Sequence, residues 1–178
     1  MSRFKYLLDE TKSDDFSEVK LIGLFPFNTL IDSSATDLSI GKLGFLDDAL
    51  AGLTAMSKKN YSVVLFVNQI KNKPLQYETF QSMNQTIENM VRNQGVKVAG
   101  LYWCPSTDRN DPYVVPNIGM FTKVTENQGI VWKDIPVLST SDNDLKAAER
   151  AGAKGIKIGK GSTKWTQFET ISDWVASV

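Results

Sequence analysis

Five short apolar runs recur along the chain, at residues 19–25, 61–67, 96–103, 135–139 and 154–158, with stretches of helical spacing between them. The clearest, 61–67, is a compact run of β-branched and aromatic residues, the composition a buried strand favours. Alternation of this kind argues for an α/β domain with a mostly parallel sheet covered on both faces. It also gathers the loops after Phe25, Val67, Trp103 and Ser139 at the carboxyl ends of the strands, where such proteins place their chemistry.

The intervening segments supply the covering layers. Leu46, Leu50, Leu53 and Met56 share one helical face over 46–58, and Asp47 and Asp48 suit its positive end. Phe80, Met83, Ile87, Met90 and Val91 make an apolar stripe over 76–93, which Gly95 terminates. Gly119, Thr122 and Thr125 weaken the case for a helix over 117–128. Residues 142–152 form a short helix with Leu145, Ala148 and Ala151 inward, and Asp142 is expected to cap it. Trp165, Phe168, Ile171 and Trp174 are spaced for one final amphipathic helix. Residues 26–44 read as an extended connection. Phe4, Tyr6 and Leu8 alternate within 1–18, which suggests an N-terminal extension or extra edge element on a single domain spanning 1–178.

Composition removes several classes of function. Twenty basic residues balance twenty acidic ones, so net charge makes no case for nucleic acid or an anionic membrane. The sequence has no histidine, which rules out a histidine base, a histidine metal ligand and a Ser-His-Asp triad within this chain. Its single cysteine, Cys104, can make neither an internal disulfide nor a cysteine-rich zinc site, and a buried thiol is expected. Residues 1–20 lack the pattern of a signal peptide, and no apolar stretch is long enough to span a bilayer. The expected setting is cytoplasmic or otherwise intracellular, with a virion as a further option.

The first strand runs into Phe25-Pro-Phe-Asn-Thr29, the second ends in Leu65-Phe-Val-Asn-Gln69, and Ser139-Thr-Ser-Asp-Asn-Asp144 follows the fourth. In order and spacing these segments resemble the haloacid dehalogenase (HAD) superfamily, nearest to its histidinol-phosphate phosphatase and polynucleotide 3'-phosphatase branches. The resemblance covers roughly residues 19–160. It implies a HAD-like Rossmannoid three-layer sandwich with about five core strands and little or no cap domain. In that family the first strand ends in Asp-x-Asp-Gly-Thr. The first aspartate attacks phosphorus and binds magnesium, and the second is the general acid/base. Those positions fall here on Phe25 and Phe27, the glycine on Asn28, and Thr29 is retained. A phenyl ring can neither form an aspartyl-phosphate nor ligate magnesium.

The resemblance places the family's other functional groups on equally altered positions. The phosphate-binding hydroxyl of the second motif falls on Val67, with Asn68 and Gln69 following it as strand-end caps or ligand contacts. The third-motif lysine falls on Val115, within Tyr113-Val-Val-Pro-Asn117; Lys123 is expected to be solvated. The zinc loop of the resembling phosphatases persists only as Cys104-Pro105, with Ser106 in place of histidine. The leading acid of the fourth motif falls on Thr140, while Asp144 keeps the second acidic position.

These replacements lead to the expectation of a chain that is not an enzyme. It would be a catalytically inactive phosphatase-like domain, a pseudoenzyme used for protein binding, structure or assembly. It would have no catalytic residue, metal or cofactor, and its partner would be another protein or a further copy of the chain. Phe25 and Phe27 would then fill the core or offer a docking surface, with Tyr102, Trp103 and Tyr113 as aromatic anchors. A second reading is a binding module for a small ligand or a nucleic-acid end. Asn28, Thr29, Asn68, Gln69 and Asp144 would line its pocket, and Lys154, Lys157, Lys160 and Lys164 would form a basic edge. A phosphatase with relocated catalytic groups is the third.

Overall fold

The computed structural model describes residues 20–33 and 43–178. The expectations for 1–18, and for most of the connection after Ser33, lie outside the described residues. Six strands form one sheet: β1 (Lys20–Leu24), β2 (Tyr61–Asn68), β3 (Lys97–Cys104), β4 (Pro136–Ser139), β5 (Lys154–Ile158) and β6 (Thr166–Phe168). Their spatial order is β3-β2-β1-β4-β5-β6, and every pairing is parallel. The order reverses at β1, so the loops after β1, β2 and β4 meet at one edge, the position that favours ligand binding in open α/β sheets.

The helices form the two outer layers. On one face α1 (Ala49–Lys58), α2 (Tyr77–Asn93) and α5 (Ile171–Ser177) enclose a core that includes Leu53, Met56, Phe80, Met83, Ile87 and Trp174. On the other, α3 (Gly119–Gln128) and α4 (Asp142–Arg150) contribute Met120, Phe121, Val124, Ala147 and Ala148 to a second core. Strand periodicity sorts β1 and β2 between the two cores. Ile22, Leu24, Val63, Leu65 and Val67 face the first; Phe25, Val64 and Phe66 face the second. Gly23 lies on the second face. A Cβ there would come within 2.9 Å of Val137 and 3.2 Å of Phe66, so the absent side chain makes room for the aromatic cluster beneath it.

The α/β sandwich read from the sequence is thus the observed fold, with a sixth strand and no antiparallel pairing between its strands. Three local expectations need correction. The residues read as one final helix divide into β6 and α5, because Thr170 and Asp173 form a reciprocal capping box that starts the helix at Ile171. Leu50 is 45% exposed rather than buried with Leu53 and Met56, because α1 begins at Ala49 and turns Leu50 outward. Asp142 does not cap α4. Ser141 precedes the helix, and the Asp142 carboxylate instead accepts a 2.7 Å bond from Lys157. None of the helices among the described residues is long and apolar enough to cross a membrane.

Candidate functional site at the strand ends

The chain leaves β1 through Phe25, whose amide donates to the Leu138 carbonyl at 3.1 Å. Because Phe25 continues the face of Leu21 and Gly23, its ring points into the second core and not toward the strand-end opening. It is 2% exposed, stacks on Phe66 at 5.2 Å and lies 6.2 Å from Phe121. A tight turn follows, in which the Pro26 carbonyl accepts from the amides of Thr29, Leu30 and Ile31. Asn28 occupies the left-handed region at φ 62°, a conformation asparagine tolerates better than most residues and glycine adopts freely. The turn geometry is therefore kept without the glycine. The Thr29 hydroxyl donates to the Phe25 carbonyl, and Asn28 Oδ1 accepts from the amide and hydroxyl of Ser33.

A cavity of about 260 Å³ opens beside this turn, bounded by the ends of β2, β3 and β4. Among the residues lining it are Phe27, Asn28, Asn68, Lys71, Thr140 and Asp144. Val115 also borders it, and Gln69 forms part of the wall. The altered positions therefore separate. Phe27, Val115 and Thr140 border the cavity, whereas Phe25 and Val67 are buried in opposite cores. Thr29 is buried with its hydroxyl turned to the backbone. The Gln69 carboxamide ties its own loop, donating to Leu75 O and accepting from the amides of Ile70 and Leu75.

Asp144 is the acidic residue among the described residues that line the cavity. It lies in the first turn of α4 and is 6% exposed. Its two oxygens accept from Asn68 Nδ2 at 2.9 Å and Ser139 Oγ at 2.7 Å, and Ser139 Oγ accepts from the Ser141 amide at 3.0 Å. Burial pushes the Asp144 carboxyl up to about 6. The hydrogen bonds from Ser139 and Asn68 and the charges of Lys71 and Lys157 pull against that rise. A carboxyl poised there can exchange a proton near neutral pH. Ser139 and Lys71 were not among the candidates read from sequence. Lys71 was legible only as a cation in the loop after β2, and Ser139 only as the last residue of β4.

The remaining candidates lie elsewhere. Cys104 is buried, its thiol pushed up by burial. Tyr102 and Trp103 are half-buried, and Tyr113 is exposed beside a different opening, which also holds Lys123. Of the four lysines of the expected basic edge, Lys157 pairs with Asp142, Lys160 with Glu169 and Lys164 with Glu149.

The fold family implies magnesium, and the donors present do not fit it. Magnesium is held by hard oxygen ligands, usually carboxylates with substrate phosphate and water. The turn after β1, where the resemblance puts the family's carboxylates, carries Phe25 and Phe27. Asp144 is the one carboxylate among the described residues that line the cavity, so a second carboxylate ligand is missing there. Among the described residues no group of three or more acidic or thiol side chains could hold a metal ion.

Comparison with known proteins places this geometry. No family model matches the chain. It is 26% identical over 134 residues to the histidine biosynthesis bifunctional protein HisB of Buchnera aphidicola subsp. Baizongia pistaciae. That match covers 73% of this chain and 38% of the relative, so the chain spans well under half the length of the curated protein it matches. A D,D-heptose 1,7-bisphosphate phosphatase from B. bronchiseptica, solved with magnesium and phosphate, superimposes with a TM-score of 0.74 at 18% identity. The superposition covers 89% of this chain and 97% of that one. A HAD-superfamily hydrolase of subfamily IA from Geobacter sulfurreducens gives a TM-score of 0.64 at 11% identity, covering 90% of this chain and 100% of the other. The expectation of a non-enzyme is corrected by these neighbours, which are a phosphatase and a hydrolase, and the pseudoenzyme reading is withdrawn with it. The chain has the HAD-like fold of these phosphatases.

Proposed function

We propose that the chain is a phosphoester hydrolase whose strand-end cavity binds a small phosphorylated compound and whose catalytic group is Asp144. The observation that carries this reading is a buried carboxyl, raised to about 6, in the wall of that cavity. Asp144 accepts hydrogen bonds from Asn68 and Ser139 in the first turn of α4, and burial still outweighs them in its ionisation. A carboxyl raised by burial in the wall of a cavity is a candidate for proton transfer.

The chemistry does not pass through an aspartyl-phosphate, because Phe25 has no nucleophilic atom and its ring lies in the core. In the proposed route a water attacks phosphorus, and the Asp144 carboxylate takes its proton as the new P–O bond forms. The bond to the ester oxygen breaks, and that oxygen takes a proton from solvent. Asn68 and Ser139 hold the carboxylate in place, and the cavity size admits a phosphoryl group with a small organic remainder.

The test is phosphate release from a panel of small phosphomonoesters by the purified chain and by Asp144→Asn. General-base catalysis predicts a loss of about 100-fold or more in the variant. Hydrolysis by the wild type that survives the substitution would remove Asp144 from the chemistry. Absence of hydrolysis across the panel would refute the reading.

A further inference from the structure

In a magnesium-dependent phosphatase the cation offsets the charge of the phosphate. Here the donors do not fit that cation, yet the cavity proposed for phosphate already contains a carboxylate, so an anionic ligand needs positive charge from another source. Among the described residues, the lysines whose charges act on the Asp144 carboxyl are Lys71 and Lys157. Lys157 is committed, its ammonium 2.7 Å from the Asp142 carboxylate and its side chain only 17% exposed. Lys71 borders the cavity directly, and no ion pair among the described residues engages it. Apart from Lys71 and Asp144, the described residues that line the cavity are uncharged. Hydroxyls of Ser106, Thr107, Thr140 and Ser141 provide hydrogen-bond donors, and Phe27 and Val115 provide apolar surface.

We propose that this cavity binds phosphate without a divalent cation, and that the Lys71 ammonium supplies the positive charge. The inference rests on the assignment of the cavity as a phosphate-binding site. It goes further by naming the cation and making the site independent of metal. Lysine is suited to the task, since it binds phosphate as a point charge on a flexible stem and can reach a ligand from the loop after β2.

Calorimetric titration of the full chain with inorganic phosphate, in EDTA and in magnesium, tests this. Saturable binding in EDTA should change by no more than about twofold when magnesium replaces the chelator. Lys71→Gln should weaken it by about tenfold, the loss expected for one charge-assisted contact, while Lys123→Gln, at the other opening, should not. Unchanged thermal unfolding of Lys71→Gln separates lost binding from lost folding. Binding that appears only with magnesium would overturn the inference and leave the cavity assignment standing. Binding in EDTA that Lys71→Gln leaves intact would overturn the role of Lys71 alone. Absence of binding in both buffers would remove the phosphate site, and the inference with it.

Discussion

The ends of β1 and β4 are hydrogen-bonded neighbours, yet they have opposite characters. After β1 the chain places Phe25 in hydrocarbon, stacked on Phe66 and close to Phe121. After β4 it places Ser139 and Asp144 in a buried polar network completed by Asn68 from β2. Both regions are almost fully buried, so burial does not separate them. What separates them is the cost of that burial. An aromatic ring gains free energy on leaving water, whereas a carboxylate loses it unless its partners compensate. Burial still raises the Asp144 carboxyl against its two hydrogen bonds, and the functional assignment falls on that half of the edge.

The largest predicted effect comes from forcing the first half to resemble the second. Phe25→Asp would put a carboxylate where the resemblance places the family nucleophile, but the side chain would face Phe66 and Phe121 instead of the cavity. Loss of the ring and burial of an unpaired charge should destabilise the fold by about 4 kcal/mol or more, read by chemical denaturation. No turnover should be gained. A stable variant with new phosphatase activity would show that position 25 can open toward the site.

The next effect runs in the opposite direction. Folded Asp144 binds its proton more tightly than the unfolded chain does, so this residue makes stability fall as pH rises between the ordinary 3.8 and about 6. Asp144→Asn removes that penalty. Unfolding measured by urea should show the variant gaining on the wild type by about 2 kcal/mol as pH rises from about 4 to about 8. Equal stability of the two proteins at both pH values would mean that the carboxylate carries no burial penalty. A smaller effect separates the partners of the network. Asn68→Ala deletes a hydrogen bond that favours the charged carboxylate, so the rise of turnover with pH should move upward by about one unit while the fold is retained. A profile that keeps its midpoint would make Asn68 a loop residue only.

Much of this comparison was legible in the sequence. The β-branched run of β2 and the stripe of Phe80, Met83, Ile87 and Val91 reported their elements to within a residue or two, because periodic burial leaves a periodic pattern. Asn68 and Asp144 were singled out by the resemblance, as positions of its second and fourth motifs. Their contact was not visible, since 76 positions separate them and only the packing of β2, β1 and β4 side by side joins them. The direction of Phe25 followed from strand period 2, yet which face was closed by Phe121 and Trp132 depended on where α3 docked. The division of β6 from α5 was signalled by Thr170 and Asp173, a capping pattern that the helical spacing of the aromatics obscured. The split of the altered positions between core and cavity had no sequence signal, because it depends on where each loop turns.

The account rests on Asp144 being a buried carboxyl that titrates near neutral pH. Carbon-13 NMR of the labelled chain, with the Asp144 side-chain carboxyl assigned by its loss in Asp144→Asn, measures that directly. A titration midpoint near the value of about 6 is the expected result. A midpoint close to the unperturbed aspartate value of about 4 would contradict it, since the carboxylate would then be an ordinary solvated anion with neither the burial penalty nor the basicity that the proposed chemistry requires.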